Sequence, residues 1–414
     1  MMSNNRDMTG GGVWLTLAPM RKLSAVLLLL AGLAACAVDP HKVADHTIYA
    51  DEEERLTHDG ALRFAVVGNL REKVPVQDAL AKRAAHDGVT EALVNDLRDN
   101  VDRKGLDFVA LMGDSVRWSD TKTWKGFDLL WREVLDGESI PTTEGYRIPA
   151  MPVAGDHEYL GDNKLTAMEG AFPGVGVDIG YARVASWYHF DVRVEDTIWR
   201  FVVLDSNKKK LGSRWNEQLY WLPRACEGKY HNMVIFMHHP VVTLAGESDK
   251  DGAPSELLET IEDNINPAKI KAIFSGDPSS SEVLLPSGNL GAAMFTAGGG
   301  GAPADLTERW GNRVDLGYGD VQLEPLYDLK LQSRFDEAAE AQGFPEGVID
   351  RAKGSGSWEG FTAAYDPKYF PLYGWFKVEI TGEDLNVTFQ SYDGEGFDTI
   401  YRIDLEEDRW RAGS

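Results

Sequence analysis

Five short apolar runs each end in a loop carrying carboxylate, amide or imidazole side chains, four of them with glycine, and this recurrence constrains the chain more than any other feature. Leu62–Val67 runs into Gly68-Asn69-Leu70-Arg71, Leu106–Met112 into Gly113-Asp114-Ser115, and Pro149–Val153 into Gly155-Asp156-His157-Glu158. Met233–Met237 leads into His238-His239-Pro240, and Ile270–Phe274 into Ser275-Gly276-Asp277-Pro278-Ser279. With Trp199–Leu204, such runs predict buried strands. Between them, Val76–Asp99, Lys122–Leu135, Arg214–Cys226 and Ser255–Ile265 place apolar residues at helical spacing, so the expectation is an α/β or mixed layered architecture. A sheet brings such strand ends into one crevice, where converging carboxylates and imidazoles meet the needs of a hard-to-borderline divalent cation.

The ends of the chain read differently. Met20-Arg21-Lys22 followed by the apolar run Leu23–Leu33 has the form of a secretory signal peptide. Leu33-Ala34-Ala35-Cys36 resembles the bacterial lipobox, which implies cleavage and a lipid on Cys36. The competing reading is a membrane anchor, for which the run is shorter than the ~20 residues a bilayer needs. Ala37 lacks the aspartate associated with inner-membrane retention, so the expected location is the bacterial envelope, lipid-anchored in the outer membrane and facing the periplasm. Residues 36–60 form a charged tether, 61–301 a core, and 302–372 an aromatic and charged insertion or lid, with an independent domain as the weaker alternative. Residues 373–414 are expected to complete the core with antiparallel strands Trp375–Ile380, Leu385–Gln390 and Thr399–Ile403. Acidic residues outnumber basic ones 66 to 42, so nucleic acid is not an expected partner. Two cysteines, Cys36 and Cys226, provide neither a disulfide framework nor a cysteine-rich zinc site.

In order and spacing, the five loops resemble those of the calcineurin-like metallophosphoesterase superfamily. Two further stretches, Phe201-Val202-Val203-Leu204-Asp205-Ser206 with Gln218-x-x-Trp221-Leu222, and Phe295-Thr296-Ala297 running into Gly298–Pro303, resemble its purple-acid-phosphatase-like branch. The resemblance implies a β-sandwich of two mixed sheets flanked by helices, and metal-dependent hydrolysis of a phosphate ester on a small-molecule or surface substrate.

The departures from that pattern are specific. One of the family's two metal positions is left here with Asn69, Arg71, Asp114 and Ser279, where a carboxylate and a histidine are expected; no histidine follows His239. That position is degenerate. The other reads Asp114, Asp156 in place of the family's asparagine, His238, and Asp277 in place of its histidine, a set that suits a single Mg²⁺, Mn²⁺ or Ca²⁺ better than Zn²⁺, with iron not distinguished. The alternative is that Asp156 and Asp277 lie on a solvated surface and no metal binds. His157 matches the family histidine that protonates the leaving group, with Glu158 as its orienting neighbour, whereas His239 is expected to point away. Arg71 either holds a phosphate in place of the lost metal or forms a salt bridge to Asp114 or Asp277 that makes the site inert. Two functions follow: a mononuclear phosphoester hydrolase, or a catalytically inactive relative that binds a ligand or protein partner.

Overall fold

The computed structural model describes residues 47–48, 56–58, 60–71, 89–131, 134–136, 148–172, 186–241, 243, 252–277, 280–286, 292–300, 365–370, 373–392, 397–404 and 409–412. All belong to one compact unit, Ala44–Ser414. Cys36, Ser279 and the 302–364 part of the insertion lie outside these residues.

In chain order the strands are β1 (Thr47–Ile48), β2 (Leu56–His58), β3 (Leu62–Val67), β4 (Phe108–Leu111), β5 (Leu135–Asp136), β6 (Ile148–Pro152), β7 (Tyr188–Val194), β8 (Thr197–Leu204) and β9 (Asn232–Met237). They continue with β10 (Ile270–Ser275), β11 (Ser281–Pro286), β12 (Ala293–Ala297), β13 (Tyr365–Phe370), β14 (Gly374–Thr381), β15 (Asp384–Tyr392), β16 (Phe397–Asp404) and β17 (Arg409–Ala412). The helices of four residues or more are α1 (Val89–Lys104), α2 (Thr121–Trp131), α3 (Thr166–Ala171), α4 (Lys208–Leu211), α5 (Arg214–Ala225) and α6 (Ala253–Glu262). None of the described helices is long and apolar enough to cross a membrane.

The strands build two mixed sheets with helices packed beside them, an α/β fold. One sheet runs β17-β16-β15-β14-β3-β4-β6-β5, the other β1-β7-β8-β9-β10-β12-β11-β13 with β2 also paired to β7. In the first, β3, β4, β6 and β5 are parallel, and β14 to β17 form an antiparallel run joined to β3. In the second, β8, β9, β10 and β12 are parallel. Parallel strands are buried on both faces, which is why these segments read as continuous apolar runs instead of alternating ones.

A row of phenylalanines joins the sheets. Phe64 and Phe108 stack at 4.5 Å on one sheet and meet Phe201 of the other edge-on, each at 5.7 Å. The row continues through Phe236, Phe274 and Phe295 to Phe376 and Phe389. Each such ring pair adds about 0.5–1.5 kcal/mol beyond its buried area. On the outer side of the first sheet, the Trp375 indole donates to Asp96 Oδ2 of α1 at 2.9 Å. Beside the second sheet, Arg200 of β8 pairs with Asp191 at 2.8 Å and donates to Ala225 O at the end of α5.

Several boundaries move. Leu135, expected at the end of a helix, begins the strand β5, because α2 stops at Trp131. The strand β7 had no expectation attached; its polar His189, Asp191 and Arg193 mask an apolar set that is buried. Residues 365–370, placed in the insertion from sequence, form an edge strand on β11.

Burial sets the reactivity of the one described cysteine. Cys226 is 8% exposed, and that burial pushes its thiol up to about 11, with Arg200 acting in the opposite direction. A raised folded-state value means that this contribution to stability is complete below the thiol's ordinary value near 9 and is lost as pH rises towards 11. In the full chain carrying Cys36→Ser, a thiol reagent at pH 8 is expected to react only as the protein unfolds in urea. Rapid reaction of the native protein would contradict this burial.

Candidate metal centre

The ends of β3 and β4 adopt an uncommon backbone conformation. Asn69 and Asp114 have φ of 55° and 56°, in the left-handed region where asparagine and aspartate are the most tolerated side chains after glycine. The two turns lie side by side, with Asn69 N–H donating to Gly113 O at 3.1 Å. Gly113 has φ of +85°, and a Cβ there would collide with His238 Nδ1 and the Gly155 backbone. This position takes glycine for both conformation and space.

Glu158 holds the turns together. Its Oε2 accepts the backbone N–H groups of Asp114 and Gly155, and its Oε1 that of Ser115, each at 2.8 Å. Burial and the neighbouring Asp114 carboxylate push Glu158 up to about 7, while His238 and the N–H donors pull it down. A short turn, His157–Tyr159, carries it.

His238, at the end of β9, is fully buried. Its Nδ1 lies 2.7 Å from Met112 O, which can only accept, so Nδ1 carries a proton. The other nitrogen, Nε2, is buried without a hydrogen-bond partner and faces Asp114 Oδ1 at 3.4 Å, Asp277 Oδ1 at 3.5 Å and Asp156 Oδ1 at 3.8 Å. Donor atoms about 2.1 Å from a shared cation stand roughly 3.0–3.4 Å apart, so this spacing is close to that of a ligand cage. Desolvation works against charge on His238, but Asp114, Asp156 and Asp277 hold its imidazole well above the usual range. Desolvation also opposes charge on Asp156 and Asp277, yet His238 lowers both. Burial raises Asp114, against the pull of His238 and Arg71. The cluster therefore needs a positive charge, from a proton or from a cation.

The structure brings Asp114, Asp156, His238 and Asp277 together. Asp277 is partly buried, and Asp156 is the more open of the two. His157 lies beside them, its Nδ1 2.7 Å from Arg117 O and its Nε2 2.5 Å from Arg71 Nη1. The carbonyl fixes the proton on Nδ1, so Nε2 accepts from the guanidinium. The orienting partner of His157 is thus the Arg117 carbonyl and not Glu158, whose carboxylate is spent on backbone N–H groups.

At the position that the family resemblance marks as degenerate, Arg71 and Asn69 are engaged by other groups of this chain. Arg71 Nη1 stands 3.3 Å from Asp114 Oδ2, so of its two expected salt bridges the one to Asp114 forms. Asn69 Nδ2 donates to Gly276 O at 2.9 Å and Asp277 O at 2.8 Å, strapping the first loop to the last. A guanidinium and a committed amide do not fit a second cation. His239 does not point away as expected: one of its nitrogens lies within 4.8 Å of donor atoms of His238 and Asp277. The strand ends at Met237, so the alternation of an extended chain no longer applies. Ser206 Oγ accepts the His239 N–H at 3.0 Å and lies 2.8 Å from its Nδ1.

A supporting network was not legible beforehand. The Tyr159 hydroxyl donates to Asp205 Oδ2, and Asp205 Oδ1 accepts from Asn207 N and Nδ2, both at 2.9 Å. Asn207 Nδ2 also donates to Ala154 O, and Gln218 of α5 brackets Asp205 through its backbone N–H and carbonyl. Asp205 and Gln218 stood in a stretch already singled out, but only the fold pairs them.

No family model and no curated protein matches the chain. Among solved structures, it is similar to GAP50, the anchor in the inner membrane complex of Plasmodium, at 15% identity, covering 84% of this chain and 89% of that one with a TM-score of 0.49. It is also similar to the purple acid phosphatase PPD1 of yellow lupin seeds, at 12% identity over 83% and 53% of the two chains with a TM-score of 0.45. A third likeness is to PhoD, at 13% identity over 86% and 72% with a TM-score of 0.47. Likenesses at this level carry no argument about chemistry, which rests on the geometry above.

Glu158→Gln sets an amide N–H₂ against backbone N–H donors and strands at least one of them. The expected cost is about 1–3 kcal/mol, read as a lower urea midpoint at unchanged slope. An unshifted midpoint would show that Glu158 does not hold these loops.

Proposed function

We propose that this chain is a metallophosphoesterase-type hydrolase of phosphate esters that uses one divalent cation and one fixed guanidinium. The observation that carries this reading is the buried His238 Nε2, which makes no hydrogen bond yet faces three carboxylate oxygens at 3.4, 3.5 and 3.8 Å. Asp114, Asp156, His238 and Asp277 would hold the cation. Three carboxylates and one imidazole favour Mg²⁺, Mn²⁺ or Ca²⁺. When bound, such an ion supplies Lewis acidity and lowers the pKa of water.

The remaining steps belong to the chain's own residues. Arg71 presents planar N–H donors suited to two phosphate oxygens and supplies the fixed positive charge at the degenerate position. While it rests on Asp114 and His157, it also occupies His157 Nε2. Turning to an incoming phosphate frees that nitrogen to take a proton from solvent, and His157, held by Arg117 O through Nδ1, then passes the Nε2 proton to the leaving oxygen and returns to the singly protonated form. Proton transfer of this kind contributes roughly 10²–10⁴-fold to a rate. Glu158 and the Tyr159–Asp205 pair hold the turn on which His157 sits.

The full chain purified without chelator is expected to carry close to one equivalent of divalent metal, lost in Asp277→Ala, and to hydrolyse a generic phosphomonoester, with activity abolished in Asp114→Ala. Absence of metal together with absence of hydrolysis would overturn the reading and leave a binding protein on the same fold.

The proposal extends to location. A lipid on Cys36 would tether the hydrolase to the outer membrane with its site in the periplasm, acting on phosphorylated small molecules or surface groups. Cys36→Ser is expected to move the protein from the membrane fraction to the soluble one, and unchanged membrane retention would argue against lipidation.

A further inference from the structure

The residues that position His157 also present an aromatic face to solvent. Trp118 follows Arg117, the residue whose carbonyl binds His157 Nδ1, and is four residues from Asp114. Its side chain is one of two large hydrophobic groups that stand exposed among the described residues, at 53%. An indole left this open forgoes much of the burial that normally stabilises it.

The ring is nevertheless fixed. Part of the indole, around Nε1, lies on Gly161, where a Cβ would collide with it, and Gly161 has φ of +91°, so both space and backbone call for glycine. Ser119 N–H donates to Leu160 O at 2.8 Å and Asp120 N–H to Trp118 O at 2.9 Å, fastening the 117–120 loop to the His157 turn. Trp118 therefore belongs to the same braced unit as Asp114 and His157, with the indole anchored on glycine and the rest open. Pre-organisation of this kind removes the ordering cost of using a side chain as a contact.

The geometry points to Trp118 as a stacking platform for a planar aromatic leaving group on the phosphate ester, which makes it a specificity-determining residue. This inference rests on the phosphoester reading of the adjoining site. The arrangement suits an aryl substituent better than an alkyl one, because a ring stacked on the indole gains dispersion and quadrupole terms that a chain does not. The expected preference is roughly two- to tenfold in affinity.

The test is calorimetric binding of phenylphosphonate and methylphosphonate to the full chain with Mn²⁺ present, in wild type, Trp118→Ala and Trp118→Phe, alongside hydrolysis of phenyl phosphate and glycerol phosphate. The aryl preference should appear in wild type, fall towards unity in Trp118→Ala and persist in Trp118→Phe. Equal affinities in wild type, or a ratio unchanged in Trp118→Ala, would overturn the platform even if both esters are hydrolysed. A Trp118-dependent preference without hydrolysis of either ester would uphold the platform and defeat the catalytic reading. Binding of neither phosphonate would overturn both.

Discussion

Three backbone N–H groups converging on the Glu158 carboxylate are the contact on which the site depends. They come from Asp114 and Ser115 after β4 and from Gly155 after β6, so one buried side chain closes the gap between neighbouring parallel strands. Without it, Asp114 would have to keep a left-handed backbone and a buried carboxylate with fewer constraints, each of which costs free energy. Strain at this point is tolerated because the surrounding sheets leave the loops little freedom. The phenylalanine row between the sheets provides that rigidity, and the N–H clamp turns it into defined positions for Asp114, Asp156 and His157.

Charge explains the rest of the site. Three carboxylates around one imidazole nitrogen cannot all be ionised at low cost in a buried crevice unless positive charge is near. Arg71 supplies one such charge on the Asp114 Oδ2 side, and His238 Nε2 marks where another is needed on the Oδ1 side. The two are not equivalent. Arg71 is covalently part of the chain and cannot leave, and Asn69 at the same end of the site straps the first loop to the last. The site thus combines a guanidinium fixed to the chain with four side chains, Asp114, Asp156, His238 and Asp277, gathered around one point.

Most of the strands that carry the site were legible because parallel, doubly buried strands leave uninterrupted apolar runs, and their loops carry glycine where backbones must approach closely. Leu62–Val67 and the segment ending at Met237 needed no tertiary information. The segment Tyr188–Val194 was hidden because Asp191 is buried against Arg200, a pairing nine residues apart that no periodicity reveals. His239 was misjudged because alternation holds only while the strand lasts.

The sequence by itself determined which chemical groups stand at the strand ends, since each follows its strand within a few residues and the chain cannot separate them. It also placed an amide at Asn69 and a guanidinium at Arg71. Only the tertiary structure decided which groups share a space: Asp114, Asp156, His238 and Asp277 come from four strand ends of two sheets. The choice between Arg71 bound to Asp114 and Arg71 bound to Asp277, and between Glu158 as a partner of His157 and Glu158 as a backbone clamp, was decided there too. These are contacts between residues distant in the chain or turned by a local φ, and their energies depend on burial and direction, which residue order alone does not specify.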